Sequence, residues 1–227
     1  MRRGRLICLT GIDGSGKTTL SMRLVEAFRS KGIASRYIYG RHTPFVVRPF
    51  MLLGRLLFFR KDDMYADYAG YSGKKREATM RHRGLAGIYL NVLLMEYYLQ
   101  LLFRISLPLM FRKQTLVVDR YIVDTVVTDL AVDFNLAPQT IRELLGDLHA
   151  RFPVPDMLIL IDTPEEVAFK RKTDTPSLEY LRERRSLYLQ AAADLDAVVV
   201  DGSLPLEEVW RSVASLAVGE GGSGGSS

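Results

Sequence analysis

Gly11-Ile12-Asp13-Gly14-Ser15-Gly16-Lys17-Thr18 satisfies the phosphate-binding pattern G-x-x-x-x-G-K-[ST] without a mismatch. Glycines at 11, 14 and 16 let backbone N–H groups turn inward around a phosphate chain. Ser15 and Thr19 stand beside them, and the positive end of a following helix adds to the attraction. Lys17 is placed to reach the outer phosphates and the Thr18 hydroxyl to hold Mg2+. The chemistry implied is binding of a nucleoside triphosphate with its magnesium ion.

A second group of candidates lies at Asp119-Arg120-Tyr121, directly after the apolar run Leu116-Val117-Val118. A carboxylate at the C-terminal end of a central parallel strand points into the crevice where ligands bind in such sheets. Asp119 can orient Mg2+ through water there, and Arg120 can clamp a phosphate bidentately. The alternative is a structural ion pair at a strand end. A third group is the basic cluster Lys170-Arg171-Lys172, with Arg182, Arg184 and Arg185 beyond it. Cations closing over a phosphoryl group in transfer supply much of the catalysis of such reactions. Arg171 is the expected catalytic member, against the alternative of a solvated basic helix face. The guanine-reading Asn-Lys-x-Asp pattern is absent from the chain, which sets GTPases aside, and no sensor elements of a motor ATPase are identifiable.

Positioning these residues requires strands and helices in alternation. Strand signals recur at residues 6–9, 36–39, 116–118, 157–161 and 198–200, with helical patterns between them. The alternation argues an α/β fold with a parallel sheet covered by helices on both faces. Leu20, Leu24, Val25 and Phe28 share a face of the helix expected over 19–31. Ile141, Leu144, Leu145 and Leu148 do the same after Pro138, as do Val209, Trp210, Val213 and Leu216 in the last helix. Residues 44–111 form a long excursion between the second and third strands: apolar at 45–59, polar and basic at 60–83, then strongly apolar at 85–111. The basic loop, with Lys74, Lys75, Arg76, Arg81 and Arg83, either folds over an acceptor or is a surface loop. The expected organisation is one domain over 1–218, a lid region at 165–185 and a disordered Gly/Ser tail at 219–227.

Composition narrows the class. The 227 residues are 48% hydrophobic and 25% charged, ordinary for a globular protein of one domain. The single cysteine, Cys8, falls within the first strand, so no disulfide framework forms within the chain and a reduced, cytoplasmic setting is expected. Met1-Arg2-Arg3-Gly4 leads straight into that strand, and no signal peptide is expected. The net charge of +5 is clustered beside the phosphate loop and in the basic loop, which suits phosphorylated small molecules rather than nucleic acid. The apolar stretch 85–111 is interrupted by Asn91, Glu96, Gln100 and Arg104, which favours a core or subunit-interface helix over membrane association.

These motifs, in this order, resemble the thymidylate kinases. The resemblance rests on residues 11–19, on Asp119-Arg120-Tyr121, on the segment 165–171, and on Val200-Asp201-Gly202-Ser203 followed by Glu207-Glu208-Val209. It covers most of residues 5–218 and is weakest between about 41 and 110. It implies a three-layer P-loop NTPase sandwich with a five-stranded parallel sheet of the nucleoside monophosphate kinase type, ATP with Mg2+, a nucleotide acceptor and usually a homodimer. It implies that Asp13 faces the acceptor, that Arg120 binds near the acceptor phosphate, and that Asp201 and Gly202 flank the adenine of ATP. Gly14 stands where one subgroup carries an arginine, so the chain is similar to the subgroup whose catalytic arginine lies in the lid, here Arg171.

The acceptor motifs depart from that family. Arg-Glu-Pro-Gly after the second strand is replaced by Gly40-Arg41-His42-Thr43-Pro44, where Arg41 can take over a phosphate contact and His42 is either functional or a surface residue. The Phe-x-x-Asp-Arg stretch should fall near 94–98, where Glu96, Tyr97 and Tyr98 stand and no arginine does; the resemblance puts Tyr97 and Tyr98 at the acceptor. Thr128-Asp129 replaces the base-reading Tyr-Gln. The reading is a phosphotransferase moving the γ-phosphoryl of ATP to a nucleoside monophosphate, dTMP first. Its alternatives are a kinase for a different, more hydrophobic acceptor and a non-catalytic ATP-binding regulator.

Overall fold

A computed structural model describes residues 4–45, 48, 83–131, 136–172 and 174–219. Most of the apolar run 45–59, the basic loop with Lys74, Lys75, Arg76 and Arg81, and all but the first residue of the 219–227 tail lie outside the described residues.

Five strands, β1 (Leu6–Thr10), β2 (Ser35–Tyr39), β3 (Thr115–Asp119), β4 (Met157–Asp162) and β5 (Val198–Asp201), pair in the order β2-β3-β1-β4-β5. All four pairings are parallel, as the alternating pattern predicts. β1 and β3 are buried at every position, which is why they read as continuous apolar runs rather than alternating ones. Alternation survives as a division of labour between the two faces. Leu6, Cys8, Leu116 and Val118 point into one core, while Ile7, Leu9, Val117 and Ile159 point into the other.

The second of these cores is closed by α1 (Lys17–Ser30) and the last helix, α7 (Leu206–Gly219). α1 buries Leu20, Leu24, Val25 and Phe28, the predicted face. It begins two residues before its expected start, because Gly16 caps it with a left-handed backbone (φ 87°). On the other face lie α2 (83–112), α3 (Ile122–Asp124 continued by a π-turn over Thr125–Ala131), α4 (Pro138–Arg151) and α6 (Leu178–Asp194). The short α5 (Glu165–Arg171) follows β4. In α4, Ile141, Leu145 and Leu148 are buried and Leu144 packs against them, and in α7 Val209 and Val213 are buried with Trp210 and Leu216 alongside.

α2 consists of Arg83–Leu101, a π-turn over Leu102–Ser106 and a last piece, Leu107–Arg112. Leu93, Tyr97, Leu101, Ile105 and Leu109 form its buried line at every fourth position. On a 3.6-residue helix such a line drifts by about 40° per step, and the wider π-turn takes up part of that drift. The opposite side carries Ile88, Met95, Leu99, Phe103 and Met110, all exposed. Gly87–Arg112 is long and apolar enough to cross a membrane, but one line of its side chains is packed in the core.

Candidate active site

Every strand delivers its C-terminal residue to the same edge of the sheet, so the candidates from distant parts of the sequence meet there. The phosphate loop leaves β1 with positive φ at Gly11 (139°), Gly14 (84°) and Gly16 (87°). At Gly14 the space is as restrictive as the angle: a Cβ would stand 2.3 Å from the Ala168 carbonyl oxygen of α5. The loop therefore packs flush on α5, and its amides curl around the start of α1, whose first turn no side chain caps.

Lys17 is buried, its Nζ donating to the Ile12 carbonyl at 2.6 Å and to Ser15 Oγ at 3.1 Å. Burial, reinforced by the charge of Arg120, lowers its pKa to about 7, against the opposing pull of Asp124, Asp13 and Asp119. Thr18 Oγ1 donates to Asp119 Oδ2 at 2.5 Å, and Tyr37 donates to the same oxygen at 3.0 Å. The other carboxylate oxygen, Asp119 Oδ1, is buried with no hydrogen-bond partner among the described residues. A hydroxyl and a carboxylate in contact, with one buried oxygen still unsatisfied, are a donor set that fits Mg2+ held between protein, water and phosphate oxygens.

Opposite the loop stands Arg120. It follows β3 in a left-handed conformation (φ 65°), unusual for a residue with a Cβ and typical of backbone held under strain at functional sites. Its amide donates to the Leu9 carbonyl at 3.0 Å, which ties the turn to β1. Its guanidinium pairs with Asp13 of the phosphate loop at 2.5 Å and with Asp124 at 3.5 Å. Burial by itself would raise the Asp13 carboxyl, but Arg120, Lys17 and Lys172 together hold it well below the usual carboxylate range. Arg41 lies close enough for its charge to act on Arg120, Tyr180 and Tyr188.

The basic cluster divides by side chain. Arg171, the last residue of α5, donates to the carbonyls of Gly202 (2.8 Å) and Leu204 (3.3 Å), on the loop after β5. It lines a cleft of about 410 Å³ with Gly14, Thr19, Leu206 and Val209. That loop is built on Asp201, whose carboxylate accepts from the Ser203 amide at 2.8 Å, and on Gly202, where a Cβ would meet Thr163 Oγ1 at 2.1 Å. Lys172, one residue on, sits where the helix has ended and the backbone is extended, so its side chain turns back to Asp13 at 3.3 Å. Arg182 and Arg185 are engaged by Glu165 and Asp162 in ion pairs of 2.7–3.1 Å beside the lid. Arg184 stacks 3.6 Å above the Tyr180 ring.

The segment after β2 is fastened to α2. Phe45 N donates to Glu96 Oε1 at 2.5 Å, and the other oxygen of Glu96 lies 3.4 Å from His42 Nε2. Thr43 and Gln100 exchange two hydrogen bonds, at 3.1 and 2.7 Å. His42 is thus buried rather than on the surface. Tyr97 is fully buried, with its hydroxyl on the Gly40 carbonyl at 3.2 Å, and Tyr98 packs edge-on against Phe152 at 4.6 Å. The structure brings together Asp13, Lys17, Thr18, Asp119 and Arg120, joins Arg171 to the loop of Asp201 and Gly202, and puts Tyr97 and Tyr98 into packing. It adds Tyr180, Asp124 and Tyr188, which sequence reasoning did not single out, and brings Lys172 forward from the basic cluster. Lys172 was visible only as a neighbour of Arg171, and the two separate because α5 stops between them.

A parallel sheet, a glycine cradle on a helix start and a facing arginine define a P-loop kinase of the nucleoside monophosphate type. No protein-family model matches the chain. It is 29% identical to a probable thymidylate kinase of Archaeoglobus fulgidus, over 93% of each chain. It is 28% identical to a probable thymidylate kinase of Saccharolobus solfataricus, over 93% of this chain and 96% of that one. A thymidylate kinase of Rhodopirellula baltica shares 24% identity over 94% of this chain and 80% of its own. These likenesses, each over more than nine-tenths of this chain, support a place in the thymidylate kinase family.

Proposed function

We propose that this nucleotide kinase transfers the γ-phosphoryl group of ATP to a nucleoside monophosphate, with dTMP the first acceptor to test. The observation that carries the reading is Arg120 facing the phosphate loop across Asp13. A cation fixed there can receive an acceptor phosphate in line with a triphosphate lying over Lys17. Thr18 and Asp119 would hold Mg2+, which neutralises charge on the transferred group when bound. In this reading Gly11, Gly14, Ser15, Gly16 and Thr19 surround the phosphates, and Asp201, Gly202 and Arg171 flank the adenine. Lys172, rather than Arg171, is then the lid cation nearest the transferred group. Asp13, Arg41 and Arg120 receive the acceptor.

The buried Glu96–His42 contact favours weighing a second reading, a kinase for a different and more hydrophobic acceptor. A carboxylate stands in the stretch where the family resemblance leads one to expect an arginine. Mg2+-dependent ADP release from ATP across a panel of nucleoside monophosphates, with Lys17→Ala as control, separates the two. Stimulation by dTMP or dUMP supports the first. Tight ATP binding without stimulation by any nucleotide overturns it and leaves another acceptor or an ATP-binding regulator.

The reading extends to a homodimer sealed by the exposed line Ile88, Met95, Leu99 and Phe103 of α2. Light scattering on the purified protein should give a dimer, and Met95→Asp with Phe103→Asp should give a monomer.

A further inference from the structure

Beneath Arg120 lies a carboxylate that the phosphate-transfer reading does not use. Asp124 is completely buried in the first turn of α3, five residues after Asp119. Its oxygens accept from Thr10 Oγ1 of β1 at 2.8 Å, from the Tyr188 hydroxyl of α6 at 2.8 Å and from the Tyr121 amide at 3.2 Å. The fourth neighbour is the Arg120 guanidinium, whose Nη1 lies 3.5 Å away. A buried carboxyl is expensive unless its lone pairs are satisfied, and here three separate elements supply donors to it.

The two carboxylates on Arg120 are not equivalent. Asp13 meets Nη2 from the phosphate loop, and Lys172, just past α5, and Tyr180, in the first turn of α6, also reach it. Asp124 meets Nη1 from below and is locked by the first strand and by the helix that follows the lid. An arriving phosphate can replace Asp13 on the outer edge of the guanidinium without disturbing Asp124 on the inner edge. The left-handed backbone of Arg120 leaves its side chain dependent on such an anchor, since strained conformations persist only where their surroundings fix them.

We propose that Asp124, held by Thr10 and Tyr188, is the positioning residue that fixes the Arg120 guanidinium for an acceptor phosphate. The inference rests on the reading that Arg120 receives the acceptor. Through Tyr188 it also ties the lid's supporting helix to the acceptor arginine.

The test uses the whole chain with Asp124→Asn, and with Tyr188→Phe as the milder variant should the first not fold. Two readouts are taken on each folded protein. Kinetics with the acceptor that the wild type uses should show acceptor KM raised about tenfold to a hundredfold, with ATP KM within about threefold. Nitrogen-15 arginine NMR, with the Arg120 signal assigned through Arg120→Lys, should show faster rotation of the guanidinium in the variant than in the wild type, slowed only by the remaining Asp13 contact. A guanidinium as restrained in Asp124→Asn as in the wild type overturns the proposal, as does an equal rise of both KM values. If the wild type phosphorylates no monophosphate while Arg120 still loosens in the variant, the acceptor reading fails and the anchoring stands.

Discussion

On the phosphate-loop side, Lys17 finds its partners two and five residues back, at Ser15 and Ile12, and the loop's shape follows from three glycines in six residues. On the side that faces it, Arg120 meets Asp13 across 107 residues, Phe45 meets Glu96 across 51, and Tyr188 meets Asp124 across 64. One side is a local device that a short motif specifies. The other exists only once the sheet has brought separate connections to one edge. A local device tolerates change elsewhere in the chain, whereas an assembled one depends on each of the elements that supply it.

The largest expected effects test whether the two sides are separable. Lys17→Ala and Arg120→Ala should each lower turnover by about a thousandfold, since each removes a cation from the developing charge. They should differ in binding. Lys17→Ala should weaken ATP binding, and Arg120→Ala should leave ATP affinity within about threefold while abolishing acceptor stimulation. Equal loss of ATP affinity in both, measured by calorimetry, would show that Arg120 belongs to the donor side instead.

Smaller effects should come from the scaffold of the assembled side. A Cβ at Gly40 would stand 2.3 Å from the Arg120 carbonyl oxygen and 2.5 Å from Val118 Cγ1. Gly40→Ala should therefore displace the strained turn, with a loss of about 1–3 kcal/mol in urea unfolding. Glu96→Ala strips a partner from the Phe45 amide and from buried His42, and a similar loss of about 1–3 kcal/mol is expected. Both should raise acceptor KM more than ATP KM. A rise in ATP KM alone would mean that this segment supports the phosphate loop.

The same contrast explains what could be read in the sequence. The strands, their parallel direction and the buried faces of α1, α4 and α7 follow from alternation and periodicity, and Lys17, Thr18 and Asp119 follow from motif and strand end. Arg171 and Lys172 could not be ranked, because two adjacent cations point apart only once the helix boundary between them is known. Tyr97 and Tyr98 look alike as aromatics near an acceptor, yet one is consumed by the Gly40 carbonyl and the other by Phe152. Asp124 belongs to no motif, and its contacts exist only once Thr10 of β1 and Tyr188 of α6 are brought to it. His42 is paired with a residue that a linear reading treated as an interruption of an apolar helix.

The smallest effect is a proton count, and it probes the local side alone. Burial and Arg120 bring Lys17 from the usual 10.5 to about 7 in the folded protein. The unfolded chain therefore binds more protons than the native one between pH 7 and 10.5. Through this group, stability rises as pH climbs across that window, and its unfavourable contribution is complete and flat below pH 7. A triphosphate beside Nζ favours the charged amine, so binding at pH 8 should take up a proton, approaching one per site. Calorimetry of ATP binding in two buffers of different ionisation enthalpy counts it. Uptake should fade toward pH 6, where Lys17 is already protonated, and should vanish in Lys17→Arg, whose charge does not titrate. Uptake that survives in Lys17→Arg would place the proton on the assembled side, at Asp124 or another buried acid, and the local side would then not be electrostatically independent of it.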